Sequence, residues 1–193
     1  MTRGISMIRQ IRLVGCVFTL AFVTFSSTIA AQERAGVMGD LLQDVAALDA
    51  KIVALANAMP PTAYKWRPGV GVRSAEEVLL HVAGDNYFLP ALIGIPAPAE
   101  TGIDGKDNKT VATFEARMLT RDQVVAELTK SFAFLKNSMK DTPDAALEMP
   151  PKNSVRKTTT RATWIATVTH LHEHFGQLIA YARSNNVTRP WSK

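Results

Sequence analysis

The sequence predicts an all-α fold, a four-helix bundle. Three observations carry that expectation. Apolar residues recur at three- and four-residue spacing in long stretches. No stretch alternates apolar and polar residues as a half-buried strand would. Four such helical stretches are joined by Pro-, Gly- and Lys-containing connections, two of them long, as bundles often are.

The first expected helix covers residues 37–59, with Val37, Leu41, Val45, Leu48, Ile52, Leu55 and Met59 on one face. Pro60 and Pro61 stop it, since proline removes a backbone donor and clashes with the preceding turn. A Gly- and Pro-rich loop, Y-K-W-R-P-G-V-G-V-R, follows. Ser74 then opens the second helix, and Glu77 three residues on completes a capping box. Pro90 is expected at or just beyond a break in that helix. The segment from Ile95 to about Thr113 reads as a long polar loop. Thr120 begins a third helix, with Val124, Leu128, Phe132, Leu135 and Met139 facing inward. Residues 141–157 form another connection. The last helix starts near Thr159 or Thr160 and runs to about Ser184, with Asn186 suited to a left-handed closing residue and Pro190 beyond it.

The N-terminus is expected to lie outside this fold. Arg3, Arg9 and Arg12 precede an apolar run at residues 13–25 and the small residues S-S-T-I-A-A. Charged start, short apolar middle and small-residue exit describe a secretory signal peptide. Residues 1–31 are therefore assigned to it, with cleavage after Ala30 or Ala31 and a mature domain at 32–193. The apolar run is shorter than the roughly 20 residues a membrane helix needs. A retained anchor is the alternative, but the expected mature chain has no stable membrane span and lies in the periplasm or outside the cell. Leu13-Val14-Gly15-Cys16 opens the apolar run rather than closing it, so it is not read as a lipoprotein box. Cys16 is the chain's one cysteine and leaves with the signal. Disulfides, thiolate metal sites and cysteine nucleophiles are thereby excluded from the mature domain.

The same cleavage lowers the charge. The chain has 22 Lys+Arg against 17 Asp+Glu. Loss of three arginines and no acid leaves a small net charge of +2. The basic balance is thus partly a targeting feature, and no nucleic-acid partner is expected. The basic stretch around Thr158–Arg161 reads as a solvated loop.

Three of the four histidines fall in T-H-L-H-E-H-F-G-Q-L, residues 169–178. A helix advances about 100° per residue, from its 3.6 residues per turn. Trp164, Val168, Leu171, Phe175, Leu178 and Ala182 then form the core stripe. His170 and His174 share a neighbouring polar stripe with Thr167, Gln177 and Tyr181, while His172 and Glu173 point to solvent. An i,i+4 histidine pair can chelate a metal, although two solvated or capping histidines would look the same. His81 lies on the apolar side of the second helix near Val78, Val82 and Asp85. A lone histidine there is commonly a satisfied core residue. Here it is the one imidazole outside the cluster. Joined with the pair, it would make a three-histidine divalent site with an open position for water, the pattern of catalytic metals. Imidazole suits Zn, Ni, Cu or Fe without choosing among them. Asp85, one turn after His81, is the candidate catalytic base. Gln177 and Tyr181 are candidate second-layer partners or substrate contacts. Gly176 suggests close approach of a helix or substrate, or simple tolerance. Trp66 and Trp191 are expected to pack.

R-S-A-E-E-V-L-L-H-V-A-G-D-N-Y, residues 73–87, resembles the second-helix motif of the DinB-like superfamily. H-L-H-E-H-F-G-Q-L-I-A-Y-A-R-S-N-N-V-T-R-P-W, residues 170–191, resembles its last-helix motif, with Asn186 where relatives often have Gly. The resemblance spans the mature chain in architecture. It implies an up-down-down-up bundle, often a homodimer, and a nickel or zinc ion on His81, His170 and His174. It also implies a small-molecule substrate: relatives transfer low-molecular-weight thiols, isomerise maleylpyruvate or are described as metal-dependent hydrolases. Thiol-using relatives rely on a cofactor kept in the cytosol, so an exported member is better suited to hydrolysis. Against this enzyme stand two alternatives, a metal-binding module without turnover and a helical interaction protein.

Overall fold

The computed structural model describes residue 1, residues 36–153 and residues 157–191. The expected signal peptide and its cleavage site lie outside the described residues. Four long helices carry the fold: α1 (Val37–Ala58), α3 (Ala75–Leu92), α5 (Arg121–Asp141) and α6 (Thr160–Ser184). Two short ones are added, α2 (Pro61–Lys65) and α4 (Lys109–Glu115). Among the described residues there is no strand beyond one isolated bridge, Asp104 to Asp107. No described helix is long and apolar enough to cross a membrane.

The helix starts follow local chemistry. Ser74 Oγ accepts from the Glu77 amide and Glu77 Oε2 accepts from the Ser74 amide, so the expected capping box forms. Thr120 and Gln123 make the same exchange at the head of α5. Thr159 caps α6 by accepting from the Ala162 amide at 3.1 Å. At its far end Asn186 takes a left-handed φ of 57°, and the Val187 amide reaches back to the Ala182 carbonyl.

Two expectations need correction. Pro90 does not break the second helix; α3 continues through it to Leu92. It falls in the last turn, where the absent N–H costs a single ladder bond and few residues remain to be kinked. The segment from Ile95 to Thr113 is not loop throughout. It holds a 3-10 turn at Ala99–Thr101 and the start of α4, whose Val111 and Phe114 are buried against the core. Pro61, read as a stop, also starts α2, where a proline at the first helical position loses no bond.

Named contacts fix the helix directions. Lys136 pairs with Asp49 at 2.6 Å and Arg121 reaches the Met59 carbonyl, so α1 and α5 are antiparallel. Asp44 meets His172, and Lys51 lies over the Phe175 ring, so α1 and α6 run together. Tyr181 meets Arg73 while His170 meets His81, so α3 and α6 are antiparallel. The order is up, down, down, up. α1 packs mainly on α5 and α6, and α3 mainly on the same two, which sets α1 and α3 diagonally. Because α3 and α5 are parallel neighbours, the chain must return along the bundle between them. That return is the 93–120 segment, and α4 packs on α3 within it.

The core is continuous. Val45, Ile52, Leu55, Val78, Leu79, Val124, Leu128, Phe132, Leu135, Met139 and Trp164 are wholly or almost wholly buried. Trp66 packs edge-on to Tyr181 at 5.2 Å and Trp191 lies 5.5 Å from Phe175, in keeping with packing roles.

Candidate metal centre

Antiparallel packing of α3 and α6 brings His81 level with His170 and His174. The His170 Nε2 lies 3.2 Å from the His81 Nε2 and 3.0 Å from the His174 Nε2. One ligating nitrogen from each ring falls within 4.8 Å of the others, an arrangement that could hold a metal ion. The expected trio is therefore assembled. His172, as expected, points away: it is exposed and pairs with Asp44 at 2.8 Å.

The outward nitrogens decide the tautomers. His81 Nδ1 lies 2.6 Å from Glu115 Oε1. A carboxylate only accepts, so Nδ1 carries the proton and Nε2 presents a lone pair to the centre. The Gln177 amide donates from Nε2 to the Tyr181 hydroxyl at 2.8 Å, which turns its oxygen toward His174 Nδ1 at 2.9 Å. That ring too donates outward and aims a lone pair inward. Asp85 Oδ2 adds a carboxylate oxygen 3.0 Å from His170 Nε2 and 3.4 Å from His81 Nε2. Lone pairs and a carboxylate converging at such distances repel unless a cation or proton lies between them. His170 Nδ1 is buried with no hydrogen-bond partner among the described residues, so this ring lacks the outward contact that orients His81 and His174. Three imidazole nitrogens with a carboxylate oxygen suit a first-row divalent ion. With Zn–N bonds of about 2.0–2.1 Å, a tetrahedral edge is roughly 3.3 Å, close to the separations found here.

His174 is buried, and burial holds its pKa below the ordinary 6.5; the Gln177 contact opposes this, while positive charge on His170 or His81 lowers it further. A neutral ring is the form that binds a metal.

Two polar residues at the centre carry no signal in histidine spacing, and sequence reasoning missed both. Glu115 lies at the end of α4, and Arg73 lies just before α3. Arg73 holds Glu115 Oε2 through Nε at 3.3 Å and Nη2 at 3.2 Å. The Arg73 carbonyl in turn accepts from the Tyr181 hydroxyl at 3.1 Å. His81, Glu115, Arg73, Tyr181, Gln177 and His174 thus form one linked chain around the centre. α4 is held to α3 at Gly84, where an added Cβ would stand 3.2 Å from Phe114 and 3.3 Å from Val111. The close approach expected of Gly176 belongs to Gly84. Gly176 is exposed, and a Cβ there would meet nothing within 4 Å.

The sequence profile described as the DinB superfamily matches residues 45–178, most of the chain. The chain belongs to the DinB superfamily. Solved DinB-like proteins share its fold. One from Bacillus subtilis aligns with TM-score 0.58 at 16% identity, covering 77% of this chain and 94% of its own. One from Bacillus cereus ATCC 10987 aligns with TM-score 0.61 at 13% identity, covering 81% and 97%. At such identities the likeness shows the shared bundle alone. No curated protein sequence matches this DinB-superfamily chain significantly.

Proposed function

We propose that this DinB-superfamily protein is an exported metal-dependent enzyme, a hydrolase or transferase working on a small molecule. His81, His170 and His174 would hold the ion, zinc or nickel. The observation that carries the reading is the inward convergence of three Nε2 atoms, two of them with their Nδ1 atoms tied outward to Glu115 and Gln177. When bound, a divalent cation would polarise a substrate oxygen or lower the pKa of a bound water toward 7.

The chain's own residues supply the rest. Asp85 Oδ2 faces the same point as the imidazoles and is the group able to take a proton there. Glu115 fixes the His81 ring and keeps its proton on Nδ1. Gln177 does the same for His174 and is itself oriented by Tyr181. Arg73 holds Glu115 in place. Export rests on the signal-like residues 1–31, and it removes the cytosolic thiol cofactors from reach, which favours hydrolysis.

The test is metal analysis of the purified, untagged mature protein, followed by ester, amide and phosphoester panels. Retention of one ion through dialysis, with turnover abolished in His174→Ala, supports the enzyme. Turnover unchanged in that variant refutes it. One observation favours a second reading, a metal-binding module without turnover. Asp85 Oδ2 is near enough to two of the nitrogens to act as a fourth ligand, and four protein ligands close a site to substrate.

A further inference from the structure

The seam between α3 and α6 does not end at the histidines. Asp85 and His170 face each other at 3.0 Å. One turn further along α3 come Phe88 and Leu89, and one turn back along α6 comes Ala166. Leu92 and Ala162 lie a second turn away. These residues line a cleft of about 490 Å³. Because each helical turn advances 5.4 Å, its inner end begins about one turn from Asp85 and His170. Its volume is in the range of small-molecule pockets. Asp85 and His170 keep partial side-chain exposure, 14% and 23%, while His174 is buried.

The far side of the cleft is built by the crossover segment. Gly105 lies flat on the end of α3, where a Cβ would stand 2.6 Å from the Ala91 carbonyl oxygen. Asp104 Oδ1 accepts from the Lys106 amide at 2.9 Å and Asp107 Oδ1 from the Lys109 amide at 3.0 Å. The rim is therefore tied down before any ligand arrives. Its charged residues, Lys106 and Asp107, are opposite in sign, and Asn108, Asn153 and Thr158 add neutral polar groups beside them, whereas Phe88, Leu89, Leu92, Ala162 and Ala166 make the helical walls apolar apart from Thr163. The lining has no net charge to offset a second charge on the ligand, and burying one against the apolar walls would be costly.

We infer that this cleft takes the apolar acyl or aryl tail of an uncharged substrate whose oxygen-bearing head lies at the histidine centre. This deepens the proposed enzyme reading and rests on it. The substrate class is a neutral ester or amide of medium-length tail, rather than a phosphoester or a charged thiol adduct.

The probes are acetohydroxamic acid and hexanohydroxamic acid, which share one metal-chelating head, neutral in solution and losing its N–OH proton to buffer or to Asp85 on chelation, and differ in four methylenes. Their affinities are measured by calorimetry on the zinc-loaded mature protein. The hexanoyl compound is expected to bind at least tenfold tighter, since each buried methylene gives a gain of roughly three- to fourfold. Ala166→Trp, at an exposed position on α6, fills the end of the cleft one turn from His170. It should bring the ratio close to one and leave acetohydroxamate affinity and zinc stoichiometry unchanged. Ala162→Phe is a second blocking variant if Ala166→Trp loses helicity. Equal affinities in the unmodified protein, or an undiminished ratio in the folded blocking variants, overturn the cleft assignment while the metal site stands. Failure of both compounds to bind, with no zinc retained, refutes the metal reading and this inference with it.

Discussion

Glu115 Oε1 lies 2.6 Å from His81 Nδ1, although the two residues sit on different helices and are 34 positions apart. The contact joins the crossover segment to the centre of the bundle. It fixes which nitrogen of His81 faces inward, and Arg73 on the other carboxylate oxygen fixes the carboxylate. A carboxylate behind a metal-binding histidine raises the ring's basicity and holds its orientation.

Removing that support should weaken metal binding without unfolding the bundle. In Glu115→Gln the amide oxygen can still accept from Nδ1, but the charge and the Arg73 pairing are lost. Zinc affinity, read by competition with a chromophoric chelator, is expected to fall about tenfold, and by up to about a hundredfold in Glu115→Ala. Far-UV circular dichroism should be unchanged, because Glu115 is the last residue of a short peripheral helix. Unaltered affinity in both variants would show that the contact does not act on the metal.

The four long helices and the histidine trio were legible in the sequence because each rests on local pattern. Apolar periodicity marks the buried faces of α1, α5 and α6, the Ser74–Glu77 box marks a start, and i,i+4 spacing places His170 beside His174. Glu115 was not legible. α4 shows only Val111 and Phe114 as apolar signal inside a polar stretch, and a seven-residue helix has little stability of its own. It exists because those two side chains close over Gly84 on α3, a tertiary fact. The two glycines show the same limit, since tolerance, the other reading of Gly176, is the one its open surroundings fit. Gly84 sits unremarked in an apolar run, whereas Gly176 stands out beside the histidines, yet only the first has a neighbour close enough to need the absent side chain.

That close approach gives a second prediction. A methyl at residue 84 would press on Phe114 and Val111, both buried. Overpacking of this kind costs about 1–3 kcal/mol. Gly84→Ala also gains helix propensity worth about 1 kcal/mol, so the net loss of stability is expected to be small, on the order of 1 kcal/mol. The larger effect should fall on the metal, since displacement of α4 moves Glu115 off His81. Chelator competition should show weakened zinc binding in a variant whose thermal midpoint barely changes. A variant that keeps full affinity would break the proposed link between α4 packing and the centre.

The metal-free protein should lose stability as the solution is acidified. His174 has its folded-state pKa held below the ordinary 6.5 by burial. Below that ordinary value the unfolded chain binds a proton that the folded chain resists. The unfolded state therefore gains, and stability falls as pH drops from about 6.5 through the folded-state value. Well above pH 6.5 both states are neutral at this residue and its contribution is flat. Urea midpoints of the apo protein, measured between pH 7.5 and pH 5, should decline more steeply than those of His174→Gln, which does not titrate. Parallel slopes would exclude His174 as the source.

Asp85 separates the catalytic from the closed-site reading. Its Oδ2 stands 3.0 Å from His170 Nε2 and 3.4 Å from His81 Nε2, a position compatible with proton transfer and with coordination. Asp85→Asn keeps the shape and an amide oxygen but removes the basicity. If Asp85 takes a proton from the nucleophile, kcat should fall on the order of a hundredfold or more, with zinc affinity little altered. The expected outcome for the enzyme is this split between turnover and binding. If Asp85 is instead a permanent ligand, zinc affinity should drop in the variant. The cobalt-substituted protein would then change its visible absorption, because replacing a carboxylate with a weakly donating amide alters the ligand field. A drop in affinity and a changed cobalt spectrum, in a protein that turns over no ester or amide, would support the storage or sensing module and remove Asp85 from the list of catalytic groups.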